Sequence, residues 1–216
     1  MQGKRAVIFA NGELPAPQAV LEWIDTDDLL IAADGGSRHA FSLGLKPQVI
    51  IGDLDSITAE AKMMAKQQGA GIMGYPRDKN ETDLELALEY AIQQGCTSIR
   101  IIAALGGRLD QTLGNLALLT DPAWQYLDIR LDDGVEEAWF IRKHATIHGT
   151  AGDTVSLLPW GGTAVGVTTT GLKWALDGET LHPHKTRGIS NEILAGTATV
   201  SIGSGLLLCV HRRSAR

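Results

Sequence analysis

Two apolar runs in this chain stop at an aspartate beside glycine, and that pattern narrows the folds open to it. Leu29-Leu-Ile-Ala-Ala33 runs into Asp34-Gly35-Gly36, and Val49-Ile-Ile51 runs into Gly52-Asp53-Leu54-Asp55-Ser56. Short aliphatic runs of this kind read as buried parallel strands whose C-terminal ends open into a site. They stand about twenty residues apart, room enough for the crossover that parallel strands need. Three carboxylates are thereby brought to one edge of one sheet. Asp53 and Asp55 are two positions apart, so in an extended chain both side chains leave the same face, and like charges so close call for a cation. Asp-Gly and Asp-Ser are also ordinary turn and cap chemistry, which explains either segment alone. The repetition favours a site for metal and phosphate.

The same alternation continues from residue 5 to about residue 133. Strands are predicted at Arg5–Ala10, Leu29–Ala33, Gln48–Ile51, Gly71–Tyr75, Ser98–Ala104 and Asp128–Leu131, with helical periodicity between them. This is the pattern of an α/β domain, a parallel sheet with helices on both faces. A helix over Thr58–Gln68 ends at Gly69, and one over Asp83–Gln94 ends at Gly95, each glycine standing where a C-terminal cap belongs. Thr82-Asp83-Leu84-Glu85 matches the capping box, which gives Thr82 and Glu85 a structural role without any chemistry.

After Asp132-Asp133-Gly134 helical periodicity disappears. Ala138–Ile141, Thr154–Leu158, Ala164–Thr170, Ala198–Ile202 and Leu206–His211 are short strand candidates separated by Gly-Gly, Asp-Gly and Pro-containing turns. That texture predicts an all-β sandwich. The expected organisation is an α/β domain over residues 1–134 followed by a C-terminal β-sandwich over 135–216, with ligands in a cleft between domains or between subunits.

Composition limits the partners. Apolar residues make up 44% and charged residues 20% of 216, ordinary for a globular chain. The net charge of −6, with no basic run, argues against nucleic acid. The N-terminal apolar run, Ala6 to Ala10, is shorter than the roughly 7–15 residues of a signal-peptide core, and no stretch approaches the ~18 apolar residues of a membrane span. Cys96 and Cys209 lack metal-site spacing and read as reduced, buried thiols in a cytoplasmic protein.

Two further loops follow predicted strands and enter helices. In Tyr75-Pro-Arg77-Asp78-Lys79-Asn80-Glu81-Thr82-Asp83, the cations and the helix N-terminus suit phosphate oxygens, and Asp83 suits the acidic edge. A charged loop before a capped helix is also commonplace. In Leu105-Gly106-Gly107-Arg108-Leu109-Asp110-Gln111-Thr112-Leu113-Gly114-Asn115, the glycines admit close backbone approach, Arg108 offers a planar fork, and Asp110 adds a carboxylate or serves as an N-cap. The chain has no P-loop, no dinucleotide fingerprint and no Gly-x-Ser-x-Gly elbow. The six histidines, among them the His182-Pro-His184 turn, lie away from the acidic strand ends. A carboxylate-rich Mg²⁺ site with Arg and Lys for phosphate suits phosphoryl transfer.

Six stretches in order carry a resemblance over nearly the whole chain: Ala33-Asp-Gly-Gly36, Gly52-Asp-Leu-Asp-Ser56, Lys79 through Thr82-Asp83, Gly106-Gly-Arg-Leu-Asp-Gln111, Thr170-Gly-Leu-Lys-Trp174 and Thr186-Arg-Gly-Ile-Ser-Asn-Glu192. In these the chain resembles the thiamine pyrophosphokinases (thiamine diphosphokinases). The resemblance implies an α/β catalytic domain that binds ATP and Mg²⁺ and a β-sandwich for thiamine binding and dimerisation. It also implies a homodimer with active sites at the subunit interface, and transfer of a pyrophosphoryl group from ATP to thiamine, giving thiamine diphosphate and AMP. Carried over by motif, Asp53, Asp55, Asp83 and Asp110 serve Mg²⁺ and phosphate, with Asp34 near them, while Arg108, Lys79 and Gln111 hold phosphate oxygens beside Thr82. Ser190 and Asn191 bond the aminopyrimidine and Trp174 packs nearby. The chain departs from the family at Asn80, where Asp is usual, which leaves Asp78 or Asp83 to supply that charge. An acidic cleft also suits an acceptor with a fixed positive charge such as thiamine. A kinase moving only the γ-phosphate, or a nucleotide-sensing module without turnover, would use many of the same residues.

Overall fold

Chain alternation becomes a sheet because each apolar run is too short for a helix and is followed by a turn. In the computed structural model, which describes residues 3–214, six such runs form the parallel strands β1 (Lys4–Phe9), β2 (Leu29–Ala33), β3 (Val49–Gly52), β4 (Gly71–Gly74), β5 (Cys96–Ile102) and β6 (Asp128–Asp132). Their order is β6-β5-β1-β2-β3-β4. Register pairs Ile8 with Ile31 and Ile101, and Ala32 with Phe9 and Ile50, so one parity of residues lines each face. Val7, Phe9, Leu30 and Ile102 pack with Val20 and Ala40, and Ala32 and Ile50 pack with Ile57 and Ala65. These bring in α1 (Pro17–Val20), α2 (Ser37–Ser42) and α3 (Ala59–Gln67).

Ile8, Ile31, Ile51, Ile99 and Ile101, of the opposite parity, are equally buried. Their partner is α4 (Asp83–Gln93), which contacts β1, β2, β3 and β5 and buries Leu84, Ala87, Leu88 and Ala91. Thr82 caps this helix by accepting a hydrogen bond from Glu85 N at 3.2 Å. Thr58 does the same for α3 through Ala61 N, and Gly69 and Gly95 follow their helices with positive φ. The next helix, α5 (Leu109–Leu118), has no side-chain cap. Its cap position is Arg108, so Asp110 stands inside the first turn and is not the N-cap.

The second unit is all β. The chain divides into two compact units between Gly134 and Val135. Here β7 (Glu136–Ile141), β8 (His144–His148), β9 (Thr154–Pro159), β10 (Ala164–Thr170), β11 (Glu179–Leu181), β12 (Asn191–Glu192), β13 (Thr197–Ser201) and β14 (Leu207–Arg212) are antiparallel. The order β12-β9-β14-β7 makes one layer and β11-β10-β13-β8 the other. Trp139, Ile141, Val155, Leu157, Leu207 and Cys209 from the first meet Ile147, Val167, Leu181, Ala198 and Val200 from the second in one core. The molecule is thus an α/β unit with a parallel sheet followed by a C-terminal β-sandwich. Sequence patterning passes over β8, β11 and β12. β8 starts and ends on exposed histidines with one fully buried residue between them, which hides its alternation.

Both cysteines are free and buried. Among the described residues, no helix is long and apolar enough to cross a membrane.

Candidate active site

The strand order sets the location. From β1 the chain proceeds to β2, β3 and β4 on one side and then to β5 and β6 on the other, leaving a crevice at the carboxyl ends of β1 and β5. A cavity of about 600 Å³ opens there. It is lined by Asn11, Gly12 and Glu13 after β1, Asp34 and Arg38 after β2, Asp53, Asp55 and Ser56 after β3, Lys79, Thr82 and Asp83 around the start of α4, and Gly106, Gly107, Arg108, Gln111 and Asn115 after β5.

Backbone geometry at two glycines makes the convergence possible. A Cβ at Gly36 would lie 1.9 Å from the Phe9 carbonyl oxygen, so only glycine lets the turn after Asp34 press against β1. A Cβ at Gly52, where φ is +150°, would lie 2.9 Å from both Asp34 Cβ and Asp83 Cγ. Gly52 is therefore the space into which the two carboxylates lean. Asp34 has a φ of 43° and Leu54 a φ of 64°, left-handed values that L-residues seldom adopt. The segment Asp53 to Asp55 is consequently a turn and not an extended strand: Asp55 N donates to Asp53 Oδ1 at 3.1 Å. The same-face argument for Asp53 and Asp55 fails for that reason.

Asp34, Asp53 and Asp83 are the residues gathered instead, with one carboxylate oxygen from each within 4.8 Å of the others. Asp34 is 6% exposed. Oδ1 of Asp34 is buried without a hydrogen-bond partner, whereas Asp83 Oδ1, also buried, meets Lys79 Nζ in an ion pair at 2.8 Å. Burial pushes the Asp34 carboxyl above its ordinary range; Ser56 and the Gly35 backbone oppose this, and the charges of Asp83 and Asp53 add to it. Burial works against the Lys79 ammonium too, yet Asp83, with Asp53 and Asp34 behind it, holds it above its usual value. A buried oxygen with no partner is costly. An all-oxygen, net-negative cluster carrying such an atom fits a hard divalent cation such as Mg²⁺.

The remaining expected residues lie around this cluster. Asp55 lines the cavity but is half-exposed and sits 3.8 Å from Arg77. Arg108 and Asp110 are paired with each other, Nε to Oδ1 at 3.1 Å and Nη2 to Oδ2 at 2.5 Å. Each shifts the other, Arg108 upward and Asp110 downward, and both are exposed. Asp110 is therefore outside the carboxylate group. Arg108, Gln111 and Asn115 follow helical spacing along α5 and face the cavity, with Asn115 Nδ2 anchored on the Ala104 carbonyl at 2.9 Å. Sequence reasoning missed Asn11, Gly12, Glu13 and Arg38. The Asn11-Gly12 pair just beyond β1 was the available signal.

Comparison with known proteins bears on both units. A family model described as "Thiamin pyrophosphokinase, catalytic domain" matches residues 20–131, and one described as "Thiamin pyrophosphokinase, vitamin B1 binding domain" matches residues 142–207. The chain belongs to the thiamin pyrophosphokinase family. A thiamine pyrophosphokinase of Bacillus subtilis is 29% identical over 206 residues, 94% of this chain and 96% of the relative. One from Oryza sativa subsp. japonica is 29% identical over 237 residues, 97% of this chain and 88% of the relative. The crystal structure of the Bacillus subtilis thiamine pyrophosphokinase superposes with a TM-score of 0.88 over 98% of this chain and 100% of its own, at 26% identity. The Candida albicans enzyme, at 16% identity and a TM-score of 0.81, shares the fold.

Within this thiamin pyrophosphokinase family member, the structure gives the departure at Asn80 a location. Asn80 and Asp78 are exposed and do not line the cavity, whereas Asp83 does. The asparagine therefore removes no carboxylate from the cluster. In the β-sandwich, Ser190 is exposed with a left-handed φ of 59°, and its N–H donates to Ser156 Oγ at 3.0 Å. Trp174 is 48% exposed, while Asn191 is 6% exposed and occupied with protein partners.

Proposed function

We propose that this protein is a thiamine diphosphokinase, moving the pyrophosphoryl group of ATP to the hydroxyl of thiamine and releasing AMP. The observation that carries this reading is the Asp34–Asp53–Asp83 cluster, with a buried Asp34 oxygen left unpaired, at the crevice of a chain in this family. Asp34, Asp53 and Asp83 would hold Mg²⁺, with Asp55 completing the set from the cavity mouth. When bound, the ion supplies positive charge against the phosphate oxygens.

The chain's own groups do the rest. Lys79, whose ammonium is kept charged by the cluster, orients a phosphate oxygen. Arg108 offers its fork to the triphosphate. Asp110 holds that fork at the mouth until phosphate takes its place, and Gln111 bonds the same chain of phosphates. Thr82 fixes the start of α4 so that Asp83 and Lys79 stay in register. In the sandwich, Trp174 and Ser190 receive the aminopyrimidine. The thiamine hydroxyl loses its proton and bonds to the β-phosphorus as the bond from that phosphorus to the α–β bridging oxygen breaks. We further propose a homodimer with active sites at the subunit interface, in the cytoplasm, where two buried free thiols are at home.

Incubation with ATP, Mg²⁺ and thiamine, with nucleotides resolved by chromatography, tests the reading. AMP formed one-to-one with thiamine diphosphate supports it. ADP with thiamine monophosphate selects transfer of the γ-phosphate, and no thiamine-dependent product selects a binding module.

A further inference from the structure

Asn191 would serve thiamine directly if its amide faced the ligand, but the structure places that amide against the chain. Its Oδ1 accepts from Trp174 N at 3.0 Å and from Glu192 N at 2.9 Å, and its Nδ2 donates to Trp174 O at 2.7 Å. Both acceptor lone pairs and one donor are used, which leaves a single N–H on a side chain that is 6% exposed. The two Trp174 bonds grip one residue at both its N–H and its carbonyl, so the peptide planes on either side of that Cα are held.

The surroundings point the same way. Leu172 and Leu176, each 2% exposed, sink into the sandwich core on either side of Trp174. Leu172 bridges to Ile193, and Lys173 N donates to Glu192 O at 2.9 Å, so the 171–174 segment is paired along 191–194. Lys173 Nζ lies 4.7 Å from the centre of the Trp174 ring and donates to Glu192 Oε2 at 2.9 Å. A large indole is thus left half-exposed while its backbone is clamped and one ring face carries a tethered cation. Exposing an aromatic of this size forfeits burial. Rigid presentation gives a reason for it, because a ring already fixed in place loses little freedom when a flat ligand stacks on its open face.

We infer that Asn191 is a positioning residue: it holds Trp174 as a preformed stacking platform for the acceptor ring and does not itself contact thiamine. This rests on the proposed thiamine reading of the sandwich. A double-mutant cycle on the full chain, read by calorimetric titration with thiamine, separates the two roles. Asn191→Ala should weaken thiamine about tenfold, as loss of two or three hydrogen bonds implies, and add almost nothing in a Trp174→Ala background. Asn191→Asp keeps the acceptor for both N–H groups and should recover part of the loss, which also covers the case that the alanine variant folds poorly. KM for thiamine should rise with KM for ATP unchanged. With 5-fluorotryptophan incorporated, the resonance that Trp174→Phe removes should broaden in Asn191→Ala and sharpen again in Asn191→Asp.

An equal loss from Asn191→Ala in both backgrounds would mean direct contact and overturn the inference. An unmoved Trp174 resonance would overturn it as well. Unchanged thiamine affinity in Trp174→Ala would remove the platform and this inference with it, while leaving the reaction itself to be judged by AMP release.

Discussion

Each unit of this protein gathers a group of carboxylates, and the two groups are finished differently. In the α/β unit, one oxygen each of Asp34, Asp53 and Asp83 crowd within 4.8 Å, share one nearby lysine and leave one buried oxygen, Asp34 Oδ1, unbonded. In the sandwich, Glu137 and Asp153, 6% and 3% exposed, flank His211, which is 2% exposed. The ring nitrogens of His211 lie 3.0 Å from Glu137 Oε1 and 3.1 Å from Asp153 Oδ2. Asp153 also accepts from the N–H and hydroxyl of Thr150 and of Ser214. Leu207, Cys209 and His211 are alternate residues of β14, so the inward row that builds the core simply ends in this polar group. One cluster has its partners and ties the C-terminal strand to β7 and β9. The other has a single lysine for three acids, leaves Asp34 Oδ1 unmet and has a cavity in front of it. Burial alone does not mark a functional acid; unmet bonding at a cavity does.

That contrast can be broken in order of expected effect. Asp53→Asn should reduce turnover on the order of a thousandfold or more, by removing a charge from the cation site, while circular dichroism shows an intact fold. Wild-type-like rates at saturating Mg²⁺ would sink the assignment. His211→Ala should do the reverse, lowering stability by about 3–5 kcal/mol because two buried carboxylates lose the cation between them, as urea denaturation would register. An unaltered midpoint would mean that the sandwich cluster contributes nothing.

The pH dependence follows from the same pairing. Burial lowers the His211 pKa, but Glu137 and Asp153 outweigh it and raise the pKa above the ordinary 6.5. A histidine raised in the folded state stabilises fully below its unfolded value, and the gain is lost as pH rises through its folded value. Burial pushes Asp153 up, yet its bonds to Ser214, Thr150 and His211 hold it far below the ordinary 3.8. Its contribution is present above that value and lost as pH falls toward its folded one. Urea midpoints of the sandwich should therefore be highest between about pH 4 and 6.5 and fall on the alkaline side. A His211→Gln variant that kept the same alkaline decline would assign the effect elsewhere. The smallest effect is expected at Asp34. Asp34→Asn relieves a buried charge, so the metal-free protein should gain about 1 kcal/mol while losing activity, the usual trade at a strained site. A loss of stability would instead make Asp34 structural.

The parallel sheet and the sandwich were legible because their apolar runs are short, punctuated by glycine and repeated. Asp53, Asp83 and Arg108 stood out because each follows a strand. Three-dimensional proximity was harder to see. Asp34 and Asp83 meet across the missing side chain of Gly52, and Leu54 turns in a left-handed conformation that pattern reading does not register. Asp55 and Asp110 share the residue type and strand-end position of the cluster members, but one turns toward Arg77 and the other is held by Arg108. The motif around Asn191 gives no sign of its two bonds to Trp174, which join segments seventeen residues apart. The Glu137–His211–Asp153 group was invisible because its members are far apart in sequence.

Mn²⁺ binding followed by electron paramagnetic resonance tests the central contrast most directly, with Mn²⁺ standing in for Mg²⁺. The wild-type protein should take up the ion, Asp53→Asn and Asp83→Asn should lose that uptake, and His211→Gln should retain it. Undiminished uptake in both aspartate variants would contradict the account, since the carboxylate cluster of the α/β unit would then not be the cation site.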